Sequence, residues 1–268
     1  CQMFKMLPDY LTLPLCGFVF FPSLFIFVRK IAHTFLGSYF NESDQVNISV
    51  KVVSSTHAVL AVIAGVIVMS NTHGDIIKDQ HWLLNPFFMF ATPYMAYDVV
   101  AMYIHHTVRF RTELQGQTMI QCIVHYFSKN KVMMFHHICL PMVYLPAVLH
   151  FRGPKGDFIV GLFLMFEVTV PFLNLRNILY QANLAHTMLY KVNGILMTVS
   201  FFLSRIVIFI YMYYMYGVYA GGVGIWKVPG IIPMKCTVGC TVLLLPQIYW
   251  FKQMIKGVYA TVVKKKVV

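Results

Sequence analysis

Four of the ionisable side chains inside strongly apolar stretches of the sequence could share one site: Asp98, His136, His137 and Glu167. Arg205 and Lys235 also lie in such stretches but at another depth, and we assign them no role. An ionisable group in the middle of a bilayer costs about 3 kcal/mol or more, so such residues are candidates for function. A histidine that is hydrogen-bonded to a carboxylate can act as a general base, or as a nucleophile toward an acyl group. The four residues therefore predict acyl transfer from a thioester to an amine or an alcohol.

Two other interpretations of the same side chains stay open. Histidine and carboxylate groups also bind zinc or iron. However, His136 and His137 are adjacent in the sequence, and adjacent side chains on a helix point about 100° apart. They are therefore poor partners for one ion, and we expect no bound metal and no resident cofactor. Alternatively, Asp98, His137 and Glu167 form a buried hydrogen-bond network that holds helices together without catalysis.

The composition indicates a membrane protein. Hydrophobic residues make up 59% of the 268 residues, charged residues make up 11%, and the mean hydropathy is +0.69. A soluble domain has roughly 25% charged residues. The net charge of +12 comes mainly from lysines and arginines between apolar runs and in the C-terminal tail. That pattern indicates membrane orientation and contact with anionic lipid, and it argues against nucleic acid as a partner.

Seven apolar runs approach the roughly 20 residues that a helix needs to cross a bilayer. They cover residues 11–28, 52–70, 87–104, 132–149, 158–175, 192–214 and 231–251. None of them alternates as a strand would, and backbone polar groups in lipid must be bonded within their own segment. We therefore predict an all-α, polytopic membrane helix bundle with about seven transmembrane helices. No small-residue cleavage site follows the first run, so we expect it to be a retained span.

The distribution of lysine and arginine predicts the orientation of the chain. These residues are concentrated after the first, third and fifth runs and in the C-terminal tail, so we expect those segments to be cytosolic. The sequons at Asn41 and Asn47 would then lie in a cytosolic loop and stay unglycosylated. Residues 265–268 (KKVV) match the KKxx retrieval signal of the endoplasmic reticulum. The alternative is a basic tail that contacts anionic lipid heads.

The predicted spans place several polar side chains at a similar depth. At 1.5 Å per residue, His137 lies roughly 8 Å from the cytosolic end of its span, Asp98 roughly 9 Å and Glu167 roughly 12 Å. Asn193 lies near the cytosolic start of its own span. We therefore expect a base, two carboxylates and an amide to share one water-accessible cavity in the cytosolic half of the membrane.

Short motifs along the chain resemble a known family. They are VSSTH at 53–57, PYMAYD at 93–98, HH at 136–137, GDF at 156–158, EVTVPF at 167–172, YKVNGIL at 190–196 and PQIYWF at 246–251. They resemble the TLC domain of ceramide synthases, TRAM translocation-associated proteins and other TLC domain-containing proteins. The GDF, KVNG and PQIYWF motifs are similar to the TLC domain-containing protein 3 subgroup. We predict an N-terminal span and cytosolic loop over 1–50, a TLC domain over 51–256 and a basic cytosolic tail over 257–268.

The resemblance implies sphingolipid metabolism in the endoplasmic reticulum membrane, with the Golgi or the plasma membrane as alternatives. It implies N-acylation of a sphingoid base with acyl-CoA as co-substrate, or control of that step. In this scheme His137 is the general base or transient acyl acceptor, His136 assists, and Glu167 and Asp98 orient the imidazole. Membrane lipids are further expected partners, and a homodimer or a heterodimer with related membrane enzymes is compatible with the family.

Departures from the ceramide synthase motif favour a second hypothesis. The first aspartate of the motif falls near Glu167, and the second falls near Val170, which cannot ionise. A non-catalytic regulator of membrane lipid composition is therefore the main alternative. A seven-helix receptor or carrier is a third hypothesis, but the sequence has no DRY-like motif after the third run and no NPxxY motif in the seventh.

Overall fold

A computed structural model of the chain consists of helices and the turns that connect them. It describes the backbone of residues 2–262, and the side chains of these residues except 2–10, 132, 133, 136, 139–141 and 260–262. No strand occurs among the residues so described. The predicted all-α class is therefore confirmed.

Eleven α-helices are present over residues 2–262. They are α1 (Gln2–Leu36), α2 (Glu42–Asn71), α3 (Leu84–Arg109), α4 (Met119–Lys129), α5 (Lys131–Cys139), α6 (Asp157–Leu164), α7 (Thr169–Gln181), α8 (Met188–Phe202), α9 (Ile208–Tyr219), α10 (Val228–Ile231) and α11 (Met234–Val262). A 3-10 turn at Met165–Val168 joins α6 to α7, and a π-helical turn at Leu203–Val207 joins α8 to α9. Each of these pairs therefore continues as one longer helical stretch.

Five helical stretches are long and apolar enough to cross a membrane. They are Leu11–Leu36, Glu42–Asn71, Leu84–Arg109, Asp157–Gln181 and Met188–Tyr219. These stretches correspond to the first, second, third, fifth and sixth predicted runs, and they confirm a polytopic helical bundle.

The fourth and seventh predicted runs take different forms. The fourth run is divided between α5 and two π-helical segments, Leu140–Tyr144 and Ala147–Phe151. Proline has no backbone N–H to continue the α-helical ladder, and Pro141 and Pro146 occur at these segments. The seventh run begins three residues before α11 and otherwise lies within that helix of 29 residues.

The chain forms two compact units. The first contains Cys1–His57 and Trp82–Gly153, and the second contains Ala58–His81 and Pro154–Val268. In the first unit, α1 packs closely against α3. A Cβ atom at Gly17 would overlap the Phe90 carbonyl oxygen, so a residue without a side chain is needed at this approach.

Aromatic side chains fill the core of the first unit. Phe21 and Phe25 of α1 pack with Tyr94 and Tyr97 of α3, and the first half of α2 adds Val53. The Phe21 and Tyr94 rings meet edge to face, with centroids 5.3 Å apart. This packing fixes the rotation of α3, and therefore the direction in which its polar residues point.

The short helix α4 is amphipathic, and local side chains cap its N-terminus. The Thr118 hydroxyl accepts from the Gln121 backbone N–H, and the Gln121 side chain accepts from the Thr118 N–H, which forms a capping box. Tyr126 is buried and donates to the Val99 carbonyl oxygen of α3. On the other side, Ile120 and Val124 are exposed, as expected for a helix at the membrane surface.

In the second unit, the last part of α2 packs against α6 through two glycines. A Cβ atom at Gly65 would lie 2.9 Å from the Gly161 carbonyl oxygen. A loop fixes the start of α6, because Asp157 accepts from the His81 N–H at 2.9 Å and the Gly156 N–H donates to the Ile77 carbonyl at 2.7 Å. Small residues at the crossing therefore allow close helix packing.

Candidate functional site

A buried carboxylate–imidazole pair lies in the first unit. The His137 Nε2 atom of α5 is 3.1 Å from the Asp98 Oδ2 atom of α3, and the two side chains are only 8% and 7% exposed. This distance is within hydrogen-bond range. The structure therefore brings together two of the four residues that the sequence singled out.

A tyrosine on the same helix holds the second oxygen of the carboxylate. The Tyr94 hydroxyl donates to Asp98 Oδ1 at 3.2 Å, because residues four apart share one face of α3. The His57 ring of α2 stacks on the Tyr94 ring with centroids 4.0 Å apart and planes 10° apart. The Asp98 carboxylate is thus bonded on both oxygens and has little freedom to rotate.

Lys51 adds a positive charge close to the pair. Its ammonium group interacts electrostatically with both Asp98 and His137. A buried carboxylate needs such compensation, because taking an ion out of water costs several kcal/mol. Lys51, which precedes His57 by nearly two turns of α2, therefore contributes to the charge balance of the site.

Tyr97 places a further hydroxyl beside this group. The residue is 8% exposed, and its oxygen is buried with no hydrogen-bond partner among the side chains and backbone groups that the structure describes. Its ring packs on Phe21 and Phe25, and its hydroxyl interacts electrostatically with Asp98. The site thus combines a base, a carboxylate and an uncommitted hydroxyl.

Glu167 belongs to the second unit, where it interacts with another partly buried charge. It lies in the 3-10 turn between α6 and α7 and interacts electrostatically with Arg205. The Arg205 Nε atom donates to the Phe166 carbonyl at 3.1 Å, and its Nη1 atom to Gln247 Oε1 at 3.4 Å. The expected role of Glu167 toward His137 stays a prediction.

Asn193 and His136 were also singled out from the sequence. Asn193 is in the second unit, where its Nδ2 atom donates to the Phe172 carbonyl at 2.8 Å. His136 lies in α5, and its side chain is outside the described residues. Among the side chains that are described, no group of three or more histidine, cysteine, aspartate or glutamate residues is arranged to hold a metal ion.

The sequence-based prediction gave no role to Tyr94, Tyr97, His57 or Lys51. The i,i+4 spacing of Tyr94 and Asp98 was the available signal for one hydrogen bond of this network. The contact of His57 with Tyr94 joins residues that are far apart in the sequence. Their presence in the motifs at 53–57 and 93–98 was the only other indication.

Comparison with known proteins places the chain in a family. Residues 47–256 match the TLC domain. The chain is also similar to TLC domain-containing protein 4 A of Dictyostelium discoideum, with 24% identity over 207 residues, which are 76% of this chain and 74% of that protein. No solved structure is significantly similar to it. The chain therefore belongs to the TLC domain family.

Proposed function

We propose that this protein transfers an acyl group from acyl-CoA to the amine of a sphingoid base inside the membrane. The observation that carries this proposal is the buried contact between His137 and Asp98 at 3.1 Å. A histidine fixed by a carboxylate is a general base, and the family includes ceramide synthases.

The pair suggests how the protons move. If Asp98 accepts a hydrogen bond from Nε2–H, the basic lone pair of the imidazole is on Nδ1. The substrate nitrogen attacks the thioester carbonyl carbon, and His137 takes one proton from that nitrogen. The C–S bond then breaks, and the imidazolium returns the proton to the leaving thiolate of CoA. The products are an amide and free CoA, and Asp98 stabilises the transient imidazolium.

The surroundings of the pair favour a reaction of lipids. Tyr94, which bonds Asp98, packs in the aromatic core with Phe21 and Phe25, and these phenylalanine rings would exclude water from the thioester. We further propose that Glu167 and His136 assist, as the family motif implies. The acyl-CoA head group would approach from the cytosolic side, where basic segments attract its phosphates.

A non-catalytic regulator of lipid composition is the second candidate. Two observations favour it: Val170 stands where the ceramide synthase motif has its second acid, and Asp98 is bonded to Tyr94 as well as to His137. A network of this kind can serve stability alone. In this case the protein would bind sphingoid bases or acyl-CoA without converting them.

One experiment separates the two candidates. The purified protein is reconstituted with labelled acyl-CoA and sphinganine, and the N-acylated product is measured for the wild type, His137→Ala and His150→Ala. His150 is an exposed histidine of the same unit and serves as the matched control. We expect His137→Ala to lose about 100-fold or more of the rate, while His150→Ala and the elution profiles stay unchanged. Full activity of His137→Ala, or an inactive wild type, would refute the proposal.

Three assignments are finer than the family: the subgroup, the organelle and the orientation of the C-terminus. The similar Dictyostelium protein is named TLC domain-containing protein 4 A, so it does not support the resemblance to the protein 3 subgroup. We propose residence in the endoplasmic reticulum with a cytosolic C-terminus. The KKVV sequence at 265–268 that motivates this location lies outside the described residues.

A further inference from the structure

The Tyr97 hydroxyl is a polar group whose position has no structural explanation within the described part of the chain. The residue is more than nine-tenths buried, and no described group donates to or accepts from its oxygen. Burying a hydroxyl without a hydrogen bond is unfavourable, and phenylalanine would fill the same space without that cost. A tyrosine here therefore indicates a partner that binds from outside the chain.

The position of the hydroxyl restricts what that partner is. The Tyr97 ring is held by Phe21 and Phe25, with ring centroids at 6.4 and 6.0 Å, so the hydroxyl is directed by a rigid aromatic core. The Tyr97 ring centroid is 6.0 Å from that of Tyr94, whose hydroxyl donates to Asp98 Oδ1. A ligand that reaches Tyr97 therefore also lies near the Asp98–His137 pair.

We propose that Tyr97 binds a hydroxyl group next to the amine of the sphingoid base, and that it thereby selects amino alcohols over simple long-chain amines. This inference rests on the proposed function. An amine that is deprotonated at His137 Nδ1 lies against the imidazole of the pair, on the side away from Asp98, and the hydroxyls of a sphingoid base are on the carbons next to the amine carbon. The same substrate can therefore contact both groups.

The chemistry of the two partners fits this role. A neutral tyrosine hydroxyl both donates and accepts a hydrogen bond, as does an alcohol. A site built to bond a substrate hydroxyl discriminates strongly against an analogue that lacks it, because the buried polar group is then left unpaired. An amine without hydroxyls would leave Tyr97 in that state.

The test compares sphinganine with octadecylamine, a long-chain amine of the same chain length that has no hydroxyl. Thermal unfolding of the purified full chain is followed with each ligand for the wild type, Tyr97→Phe and Tyr94→Phe. Tyr94→Phe is the matched control, because it removes a hydroxyl that does have a partner, Asp98 Oδ1. The difference between the two ligands cancels any unspecific effect of an amphiphilic amine.

We expect the two variants to differ in the direction in which the Tm without ligand changes. Without ligand, Tyr97→Phe keeps or raises the Tm, because it removes an unpaired buried hydroxyl, and Tyr94→Phe lowers the Tm. With ligand, the wild type binds sphinganine more tightly than octadecylamine. In Tyr97→Phe, the ratio of the two affinities falls about tenfold. An unchanged preference in Tyr97→Phe, or a Tm without ligand that falls as far as in Tyr94→Phe, would overturn the inference.

The outcomes also separate this inference from the proposed function. Wild-type acylation together with an unchanged preference in Tyr97→Phe refutes the role of Tyr97 and leaves the reaction intact. A preference that depends on Tyr97 in a protein without acylation supports the binding site and refutes the reaction. A wild type that does not distinguish the two amines overturns the inference whatever the result of the acylation assay.

Discussion

The crossing of α2 and α6 in the second unit makes a quantitative prediction about packing. In Gly65→Ala the new Cβ would lie 2.9 Å from the Gly161 carbonyl oxygen and 3.0 Å from Leu164 Cβ. Ordinary contact begins near 3.4 Å, so the helices would have to separate by about half an ångström. Overpacking of this kind costs about 1–3 kcal/mol.

Gly239→Ala is the control for this substitution. Gly239 is also a helical glycine of the second unit, but a Cβ there would meet nothing within 4 Å. Both substitutions gain the same helix propensity, about 1 kcal/mol, so the difference between them isolates the packing cost.

The assay is thermal unfolding of the purified protein in detergent. At about 2–4 °C per kcal/mol, we expect the Tm of Gly65→Ala to be about 2–12 °C below that of Gly239→Ala. Equal melting temperatures of the two variants would show that α2 and α6 do not approach as closely as described.

Two further predictions concern the capping of α4 and the topology. Thr118→Ala removes the capping box with Gln121 and should cost about 0.5–2 kcal/mol, measured as a lower Tm, whereas Thr118→Ser should keep the wild-type value. If the C-terminus is cytosolic, Asn41 and Asn47 remain unglycosylated in cells, and endoglycosidase treatment leaves the electrophoretic mobility unchanged. A mobility shift that is lost in Asn41→Gln or Asn47→Gln would invert the predicted orientation.

The helical class and most of the spans follow directly from the sequence. An apolar run long enough to cross a bilayer can only satisfy its backbone as a helix or a closed barrel, and these runs lack alternation. The sequence did not predict how the fourth run divides into α5 and two π-helical segments. The prolines at 141 and 146 indicate an irregularity there, but neighbouring packing decides its form.

The candidate site was predictable only in part. The depth of Asp98 and His137 was estimated from chain position, and the structure brings them together at 3.1 Å. Chain position fixes the depth of a residue but not the rotation of its helix, so the contacts of Tyr94, Tyr97 and His57 were missed. Arg205 was set aside because its backbone lies at another depth, yet it interacts with Glu167. A long side chain can reach charges well away from its own Cα atom.

The most direct test of the central claim, that Asp98 and His137 act as one catalytic unit, is a double-mutant cycle on the rate of N-acylation. The rates of Asp98→Asn, His137→Ala and the double variant are measured at saturating acyl-CoA. Residues that act together give strongly non-additive effects, so the double variant should be no slower than His137→Ala alone. If the fold-decrease in rate of the double variant equals the product of the two single fold-decreases, the two residues act independently, and the account is contradicted.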